Sequence, residues 1–245
     1  MPIPRGRPLL GDYPARAGLV LAVCAGCVVT LGLLFAGQTR PDWFDNAVDS
    51  PLVTFSGGTF SGGRGTLLLW LAEPGGLIPA IAVSAAIAIG CLMARRPNGA
   101  VLAVAAVPVA AGLDDALLKH LFHRTYLGQL TFPSGHTTSA TALTATLAVL
   151  LLIPPQPADT RKARVALIAA ACVITAIVAA AVIGLRFHYF TDTVAGAAVG
   201  VGTVCALALL IDLAPAATRR TRNRANRTAM PTEQVGPVGS RQGLN

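Results

Sequence analysis

The chain has 245 residues, of which 53% are hydrophobic and only 12% are charged, and its mean hydropathy is +0.63. Soluble domains carry charge on about a quarter of their residues, so this composition excludes an ordinary soluble protein and indicates an integral membrane protein. The formal net charge of +8 comes mainly from basic residues that flank apolar runs, which is a signature of membrane topology.

Six apolar runs are long enough to cross about 30 Å of hydrocarbon as helices. The second can also begin at Leu67, with Glu73 and Pro74 marking a break or a short interfacial helix, and the third carries Asp114 and Asp115 near its end. We therefore predict an all-α integral membrane protein with six transmembrane helices. The runs cover residues 17–37, 75–94, 99–118, 137–153, 165–185 and 193–211.

The basic residues predict the orientation, because Lys and Arg in short loops are retained on the cytoplasmic side. Three precede the first run, two follow the second, three follow the fourth and six follow the sixth. Both termini are therefore predicted to be cytoplasmic, and the connections after the first, third and fifth helices to face outward. The outer side holds the remaining basic residues, Arg40, Arg64, Lys119, Arg124 and Arg186.

The chain divides into a cytoplasmic N-terminus at residues 1–16, a six-helix transmembrane domain at 17–213 and a tail at 214–245. The first run reads as a retained helix rather than a signal peptide, because it is 21 residues long and no clear cleavage site follows it. The tail is polar and basic, so we predict that it is disordered and touches anionic lipid rather than nucleic acid. All five cysteines lie in apolar runs, and Cys24-x-x-Cys27 is better explained by packing than by redox chemistry.

The first outer loop, residues 38–66, has two parts. Trp43, Phe44 and Val48 have the spacing of an interfacial helix. After them, Phe55 and Phe60 are each followed by Ser-Gly-Gly, a repeat that suits either a flexible tether or a mobile flap near a site.

Chemistry-bearing residues cluster in two outer segments, and ionisable groups at the edge of a bilayer are costly enough to indicate use. In the first, Pro133-Ser134-Gly135-His136 directly precedes an apolar run, so it is expected to open the fourth helix with its free amides facing outward. A helix N-terminus with a glycine is a good phosphate site, and His136 in the first turn can donate a proton to a bound group.

The second segment carries His188 and Asp192, which are four residues apart and share a face if the segment is helical. Asp192 is then predicted to accept the Nδ1 proton of His188 and leave Nε2 as a nucleophile or base. Lys119, Arg124 and Arg186 supply positive charge, and arginine matches phosphate oxygens in pairs.

These residues resemble the type 2 phosphatidic acid phosphatase superfamily, whose signature joins K-x6-R-P, P-S-G-H and S-R-x5-H-x3-D. Residues 133–136 match the second motif in full, and residues 188–192 match H-x3-D. The resemblance runs from about residue 119 to residue 200, with the order, spacing and helix context of the motifs.

Two positions depart from the signature. Tyr126 stands where the family has the arginine of its first motif, and Arg124 lies two residues earlier. Ala181 and Val182 stand where the family has Ser-Arg. Arg186 lies four residues later, about one helical turn, and we infer that it supplies the missing guanidinium.

The resemblance implies a two-step hydrolysis that needs no metal or other cofactor. His188 would attack phosphorus to form a phosphohistidine, Asp192 would orient it, and His136 would protonate the leaving group. The phosphate would be bound by Lys119, Arg124, Ser134, Gly135 and Arg186. The implied partners are a lipid phosphate and the surrounding lipids, and the implied location is the outer side of the plasma membrane.

Alternatives remain at this stage. An isoprenoid pyrophosphate is the preferred substrate, with phosphatidic acid or phosphatidylglycerol phosphate as the other choice. A non-catalytic lipid-phosphate binder or transporter would also explain the missing motif arginines, although it would not need a nucleophile paired with an acid. A metal site at His120, His123 and His136 lacks a carboxylate or cysteine to complete it. Asp114 and Asp115 suit a transporter's proton relay less well than a surface cap and a partner for Lys119.

Overall fold

The structure is a computed structural model that describes residues 8–57, 62–153 and 158–228. Helices predominate, and a two-stranded antiparallel hairpin is the one β element of these residues. The α-helices are α1 (Pro14–Phe35), α2 (Trp43–Ser56), α3 (Gly63–Ala72), α4 (Leu77–Met93), α5 (Pro97–Gly112), α6 (Lys119–Phe122), α7 (Gly135–Leu152), α8 (Arg161–Gly184) and α9 (Phe190–Thr228).

Among the described residues, five continuous helices are long and apolar enough to cross a membrane, and one bent pair makes a sixth if it counts as a single span. The bent pair joins α3 to α4 at an angle of 41°, and a 3₁₀ turn at Glu73–Gly75 lies between them. This turn confirms the break predicted at Glu73 and Pro74. Its physical cause is Pro74, which has no N–H to donate to a helix. The chain is a multi-pass membrane protein, and the side that each terminus occupies stays a prediction.

Two elements lie between the spans. The helix predicted around Trp43 and Phe44 is α2, whose inward face buries Asp45 and Asp49. The hairpin pairs β1 (Thr125–Tyr126) with β2 (Gln129–Leu130) through a two-residue turn in which both φ angles are positive. The sequence analysis did not predict this hairpin, because the turn places a leucine where asparagine or glycine is usual.

The disorder of residues 214–245 stays a prediction, and the backbone of α9 extends as helix to Thr228. Alanine and arginine, which are strong helix formers, recur between residues 214 and 228 and favour this continuation. The rest of the tail, and the Phe60 half of the Phe-Ser-Gly-Gly repeat, lie outside the described residues. Phe55 and its Ser-Gly form the C-terminal end of α2.

Glycines allow α7 and α9 to approach closely, and this contact holds together the two helices that begin at the candidate site. A Cβ on Gly196 would lie 2.5 Å from the Ser134 carbonyl oxygen, and one on Gly200 would lie 2.6 Å from that of Thr138. This small-x-x-x-small spacing is the usual means of tight helix packing in membranes.

Gly200→Ala should destabilise the protein by about 1–3 kcal/mol, because the two nearest of the three neighbours of the new Cβ are backbone atoms that cannot turn aside. Thermal unfolding in detergent measures the effect. The matched control is Gly26→Ala in α1, where nothing lies within 4 Å of the added carbon. If the two variants unfold at the same temperature, the close contact between α7 and α9 is contradicted.

Candidate active site

Residues from both of the segments that carry the motifs border one cavity of about 530 Å³, here called the histidine cavity. Its polar wall contains His136, His188, Lys119 and Arg186, together with Gly135 at the start of α7. The structure therefore brings together four charged or titratable side chains that are separated by up to 69 positions in the chain. The rest of its wall is largely apolar and includes Leu77, Ala111, Leu127, Leu130 and Phe187.

His188 is held differently from the prediction. It lies in a bend before α9 rather than in a helix, and its Nδ1 lies 2.9 Å from the carbonyl oxygen of Thr131. A carbonyl can only accept, so Nδ1 carries the proton and Nε2 keeps its lone pair. Asp192 Oδ2 is 3.9 Å from Nδ1, beyond hydrogen-bond distance, so the predicted direct hydrogen bond is wrong.

The side chain of His188 is buried, and burial is the main cause that lowers its pKa to about 3; the charges of Lys119 and His136 lower it further. The imidazole is therefore neutral at physiological pH. A neutral ring with a fixed Nδ1 proton presents Nε2 as the nucleophilic nitrogen.

The side chain of Asp192 caps the N-terminus of its own helix, α9. Its Oδ2 accepts the N–H of Tyr189 at 3.0 Å, as the third-residue acid of a capping box does. Two further carboxylates, both from α2, cap the same helix: Asp49 accepts the N–H of Phe190 at 3.1 Å and Asp45 that of Thr191 at 3.0 Å. This set of acids fixes the position of the bend that carries His188.

Arg124 does not face the histidine cavity, so the predicted phosphate-binding role is wrong for this residue. Its side chain is 0% exposed, and its terminal nitrogens donate to Asp192 Oδ1 at 2.6 Å, to Asp45 Oδ2 at 2.5 Å and to the Thr191 hydroxyl at 2.6 Å. Phe35 and Tyr189 cover the two faces of its guanidinium at 4.4 and 4.3 Å. Arg124 therefore joins α1, α2 and α9, and both of its terminal nitrogens donate to protein oxygens, while its buried Nε has no hydrogen-bond partner among the described residues.

Tyr189 and Tyr126 extend this stack towards the cavity, with ring centroids 4.4 Å apart. Tyr189 is buried, so it is not an interfacial anchor, whereas Tyr126 borders the histidine cavity at the place of the family's arginine. Burial, the first cause, raises the pKa of both phenols. Tyr126 thus offers a neutral hydroxyl where the signature has a cation.

Lys119 lies at the end of a π-helical turn, Leu113–Leu118, that interrupts the third span. Its Nζ lies 2.5 Å from Asp115 Oδ1, which confirms the predicted pair. Asp114 is not a surface cap, because it is 0% exposed and its Oδ2 lies 3.6 Å from Lys119 Nζ. The π turn adds one residue to the helical turn, and this rotates Asp114 towards the protein interior. The regular helical period of about 3.6 residues does not predict that orientation.

The tetrapeptide 133–136 opens α7 as predicted, with Ser134 as the residue before the helix. The Ser134 N–H donates to the carbonyl of Asp192 at 3.0 Å, so its predicted use for phosphate is wrong. The first-turn amides of α7, beginning at Gly135, have no intrahelical partner. A side chain on Gly135 would crowd the cavity wall, because its Cβ would lie 3.1 Å from Asp114 Oδ2 and 3.7 Å from Lys119 Nζ.

His120 and His123 lie outside the site. Both are exposed, and their ring centroids are 6.5 Å apart. Across residues 8–57, 62–153 and 158–228, no group of three or more His, Cys, Asp or Glu side chains is placed to hold a metal ion.

Arg186 borders the cavity from an unusual backbone position. Helix α8 ends at Gly184, and the N–H groups of Arg186 and Phe187 return to the carbonyls of Ile183 and Val182 at 2.8 and 2.9 Å. This is a Schellman motif, and Arg186 occupies its left-handed position with φ of +58°. Glycine is usual there, so an exposed arginine in this conformation indicates a side chain kept for its chemistry.

Arg186 also borders a second cavity of about 280 Å³ on the α2 side, together with Tyr126, Asn46, Asp49 and Ser50. Among the described residues, its guanidinium makes no ion pair or hydrogen bond with protein. It is therefore free to bind an anion, as the sequence analysis proposed, although it does so from a turn and not from the face of a helix.

Arg186→Gly should separate the two roles of this position. Glycine relieves the left-handed backbone, so the free energy of unfolding should stay the same or rise by about 1 kcal/mol. If the guanidinium binds phosphate, KM should rise about tenfold or more, since a charge-assisted hydrogen bond contributes about 1.5–3 kcal/mol. Arg186→Ala is the control, because it removes the guanidinium and keeps the backbone strain. Full activity in the glycine variant would contradict the phosphate role.

Sequence reasoning missed the acids of α2 and the carbonyl of Thr131. Asp42, Asp45 and Asp49 are spaced by three and four residues, which places them on one face of a helix, and that spacing was the available signal. Burial, with the nearby charge of Asp45, raises the pKa of Asp49 to about 7. The Thr131 carbonyl leaves no trace in a side-chain pattern.

The fold and this site agree with the family that the motifs resemble. Residues 14–214 match the model of the PAP2 superfamily. The chain therefore belongs to the PAP2 superfamily, which confirms the resemblance.

A solved structure has the same fold. The crystal structure of the first transmembrane PAP2 type phosphatidylglycerolphosphate phosphatase, from Bacillus subtilis, aligns with a TM-score of 0.55 and 16% sequence identity. The alignment covers 90% of this chain and 100% of that one. No curated protein matches the sequence significantly.

Proposed function

We propose that the protein is a metal-independent lipid phosphatase that works through a phosphohistidine at the outer face of the plasma membrane. The observation that carries the proposal is the state of His188: its Nδ1 proton is held by the Thr131 carbonyl, and its ring borders a cavity shared with His136, Lys119 and Arg186. A binder or transporter has no need of a nucleophile fixed in this way.

In the first step, the Nε2 lone pair of His188 forms a bond to the terminal phosphorus, and the bond from that phosphorus to the leaving oxygen breaks. This oxygen is the lipid oxygen of a phosphate monoester or the bridging oxygen of a pyrophosphate. His136, in its protonated form, gives its proton to that oxygen. The imidazolium then formed at His188 is stabilised by the Thr131 carbonyl and, across 3.9 Å, by Asp192. Lys119, Arg186 and the α7 amides from Gly135 onward balance the charge on the phosphoryl oxygens.

In the second step, His136 takes a proton from water while the water oxygen attacks phosphorus. The bond from phosphorus to His188 Nε2 breaks, and phosphate and the neutral histidine are released. Three of the residues named above have a positioning role and do not contact the phosphate. They hold the start of α9 against the start of α7, and they are Asp192, Arg124 and Ser134.

The apolar part of the cavity wall supports a lipid substrate, since Leu77, Ala111, Leu127 and Leu130 lie beside the polar groups. A polyprenyl pyrophosphate remains our first choice of lipid. Phosphatidylglycerol phosphate is the alternative that the similar solved structure favours, and phosphatidic acid completes the set.

The test is phosphate release by the purified protein in detergent from each of these three lipids, with EDTA present. We expect release from at least one of them, inhibition by vanadate as a mimic of the pentacoordinate phosphorus, and no loss of rate in EDTA. A protein that binds vanadate but releases phosphate from none of the lipids would favour the binder instead.

A further inference from the structure

Asp114 is a buried carboxylate that the proposed mechanism does not use. It is 0% exposed, lies in the π-helical turn of the third span, and neither of its oxygens has a hydrogen bond among the described residues. π turns often occur at functional sites. An ionisable residue inside a membrane span has a high free-energy cost, so its presence there indicates a function.

The carboxylate lies directly behind the wall of the histidine cavity. Its Oδ2 is 3.6 Å from Lys119 Nζ and 3.1 Å from the point where a Cβ on Gly135 would lie. Lys119 and Gly135 both border the cavity, so Asp114 stands behind two groups assigned to phosphate binding. Asp114 is therefore placed to affect a bound phosphate through Lys119, as a positioning residue.

Lys119 is shared between two neighbouring acids in opposite environments. Asp115 is 59% exposed, and water can take over from Lys119 as its partner. Asp114 has no such substitute, because Lys119 makes its only ion pair among the described residues. The other charged groups that act on Asp114 are both negative, Asp115 from its own helix and Asp192 from α9, and α7 faces it with the backbone of Gly135.

We propose that Asp114 is the counter-charge of Lys119 in the empty site and takes up a proton when a phosphate dianion draws Lys119 towards itself. A buried carboxylate without a counter-charge is strongly disfavoured, and protonation removes that cost. Asp115 loses the same partner but is solvated, so it keeps its charge. This inference rests on the proposed function only in taking the histidine cavity to bind phosphate.

Tungstate is a suitable probe, because it remains a dianion through neutral pH and carries no titration of its own there. Calorimetry in buffers of different ionisation enthalpy measures the protons taken up per bound tungstate, for the wild type, Asp114→Asn and Asp115→Asn. His136 and His188 are present in all three proteins, so their contribution cancels between them.

We expect the wild type and Asp115→Asn to take up about one proton more than Asp114→Asn. Over the pH range where this proton is taken up, the affinity of the wild type for tungstate should fall about tenfold for each unit by which the pH rises. Asp114→Asn should lack that pH dependence. Equal uptake by all three proteins would overturn the proposal.

An infrared measurement keeps the test independent of the folding of Asp114→Asn. In the wild type and Asp115→Asn, tungstate should produce the C=O band of a protonated carboxylic acid, and its absence from both would overturn the proposal. Failure of tungstate to bind the wild type would instead contradict the proposed phosphate site itself.

Discussion

Replacing His188 with asparagine should reduce the rate of phosphate release at least about a thousandfold, the largest effect on activity that we expect from one substitution. Loss of the attacking nitrogen removes the covalent step, and the remaining groups can only bind and polarise the phosphate. The asparagine amide retains a donor for the Thr131 carbonyl, so the bend before α9 keeps its contact. Steady-state phosphate release from the best lipid of the panel measures the loss.

His123→Asn is the matched control, because this histidine is exposed and lies outside the cavity. It should retain full activity. Rapid quenching with a radiolabelled lipid should trap an acid-labile phosphoprotein in the wild type and none in His188→Asn. More than about a tenth of wild-type activity in His188→Asn would contradict the nucleophile assignment.

The same variant has a pH signature whose sign follows from burial. The pKa of His188 in the folded protein is about 3, below its ordinary value near 6.5, so the unfolded chain binds the proton first as pH falls. This lowers the stability of the wild type by about 1.4 kcal/mol per pH unit below about pH 6.5. His188→Asn lacks that penalty, and its unfolding temperature should fall less between pH 7 and pH 5.

The apolar spans, the start of α7 and the pairing of Lys119 with Asp115 could be predicted because each depends on residues that are close together in the sequence. An uncharged run of about 20 residues has few folds available other than a membrane helix. Likewise, the tetrapeptide 133–136 begins its helix because Ser134 and Gly135 precede an apolar run. Lys119 pairs with Asp115 because i and i+4 residues are neighbours on any helix.

The errors about His188, Ser134 and Arg124 concern partners that are distant in the chain or that belong to the backbone. His188 is held by the carbonyl of Thr131, 57 positions away, and the Ser134 amide is taken by the carbonyl of Asp192. A sequence pattern contains side chains and no backbone contacts, so the nearest suitable carboxylate, Asp192, was predicted as the partner of His188. Arg124 was given to the phosphate for a similar reason, since its partner Asp45 lies 79 positions earlier.

This relocation of Arg124 has an energetic consequence. In the phosphate-binding interpretation, Arg124→Met weakens substrate binding and leaves stability unchanged. In the structure, the same change leaves Asp45 and Asp192 buried without their counter-charge. Breaking a buried ion pair by removing one partner costs about 3–5 kcal/mol, which is a large fraction of the stability of most proteins.

We therefore expect Arg124→Met to lower the unfolding temperature sharply and to reduce kcat through misplacement of His188, with KM less affected. Arg124→Lys should be intermediate, because one ammonium cannot span the two carboxylates and the Thr191 hydroxyl as the guanidinium does. Adding Asp45→Asn to Arg124→Met should restore part of the stability, since it removes one unpaired charge. Arg64→Met, at an exposed arginine in the first turn of α3, is the control for loss of a cation. If Arg124→Met kept wild-type stability and had a raised KM, the result would contradict the structural role and support phosphate binding by Arg124.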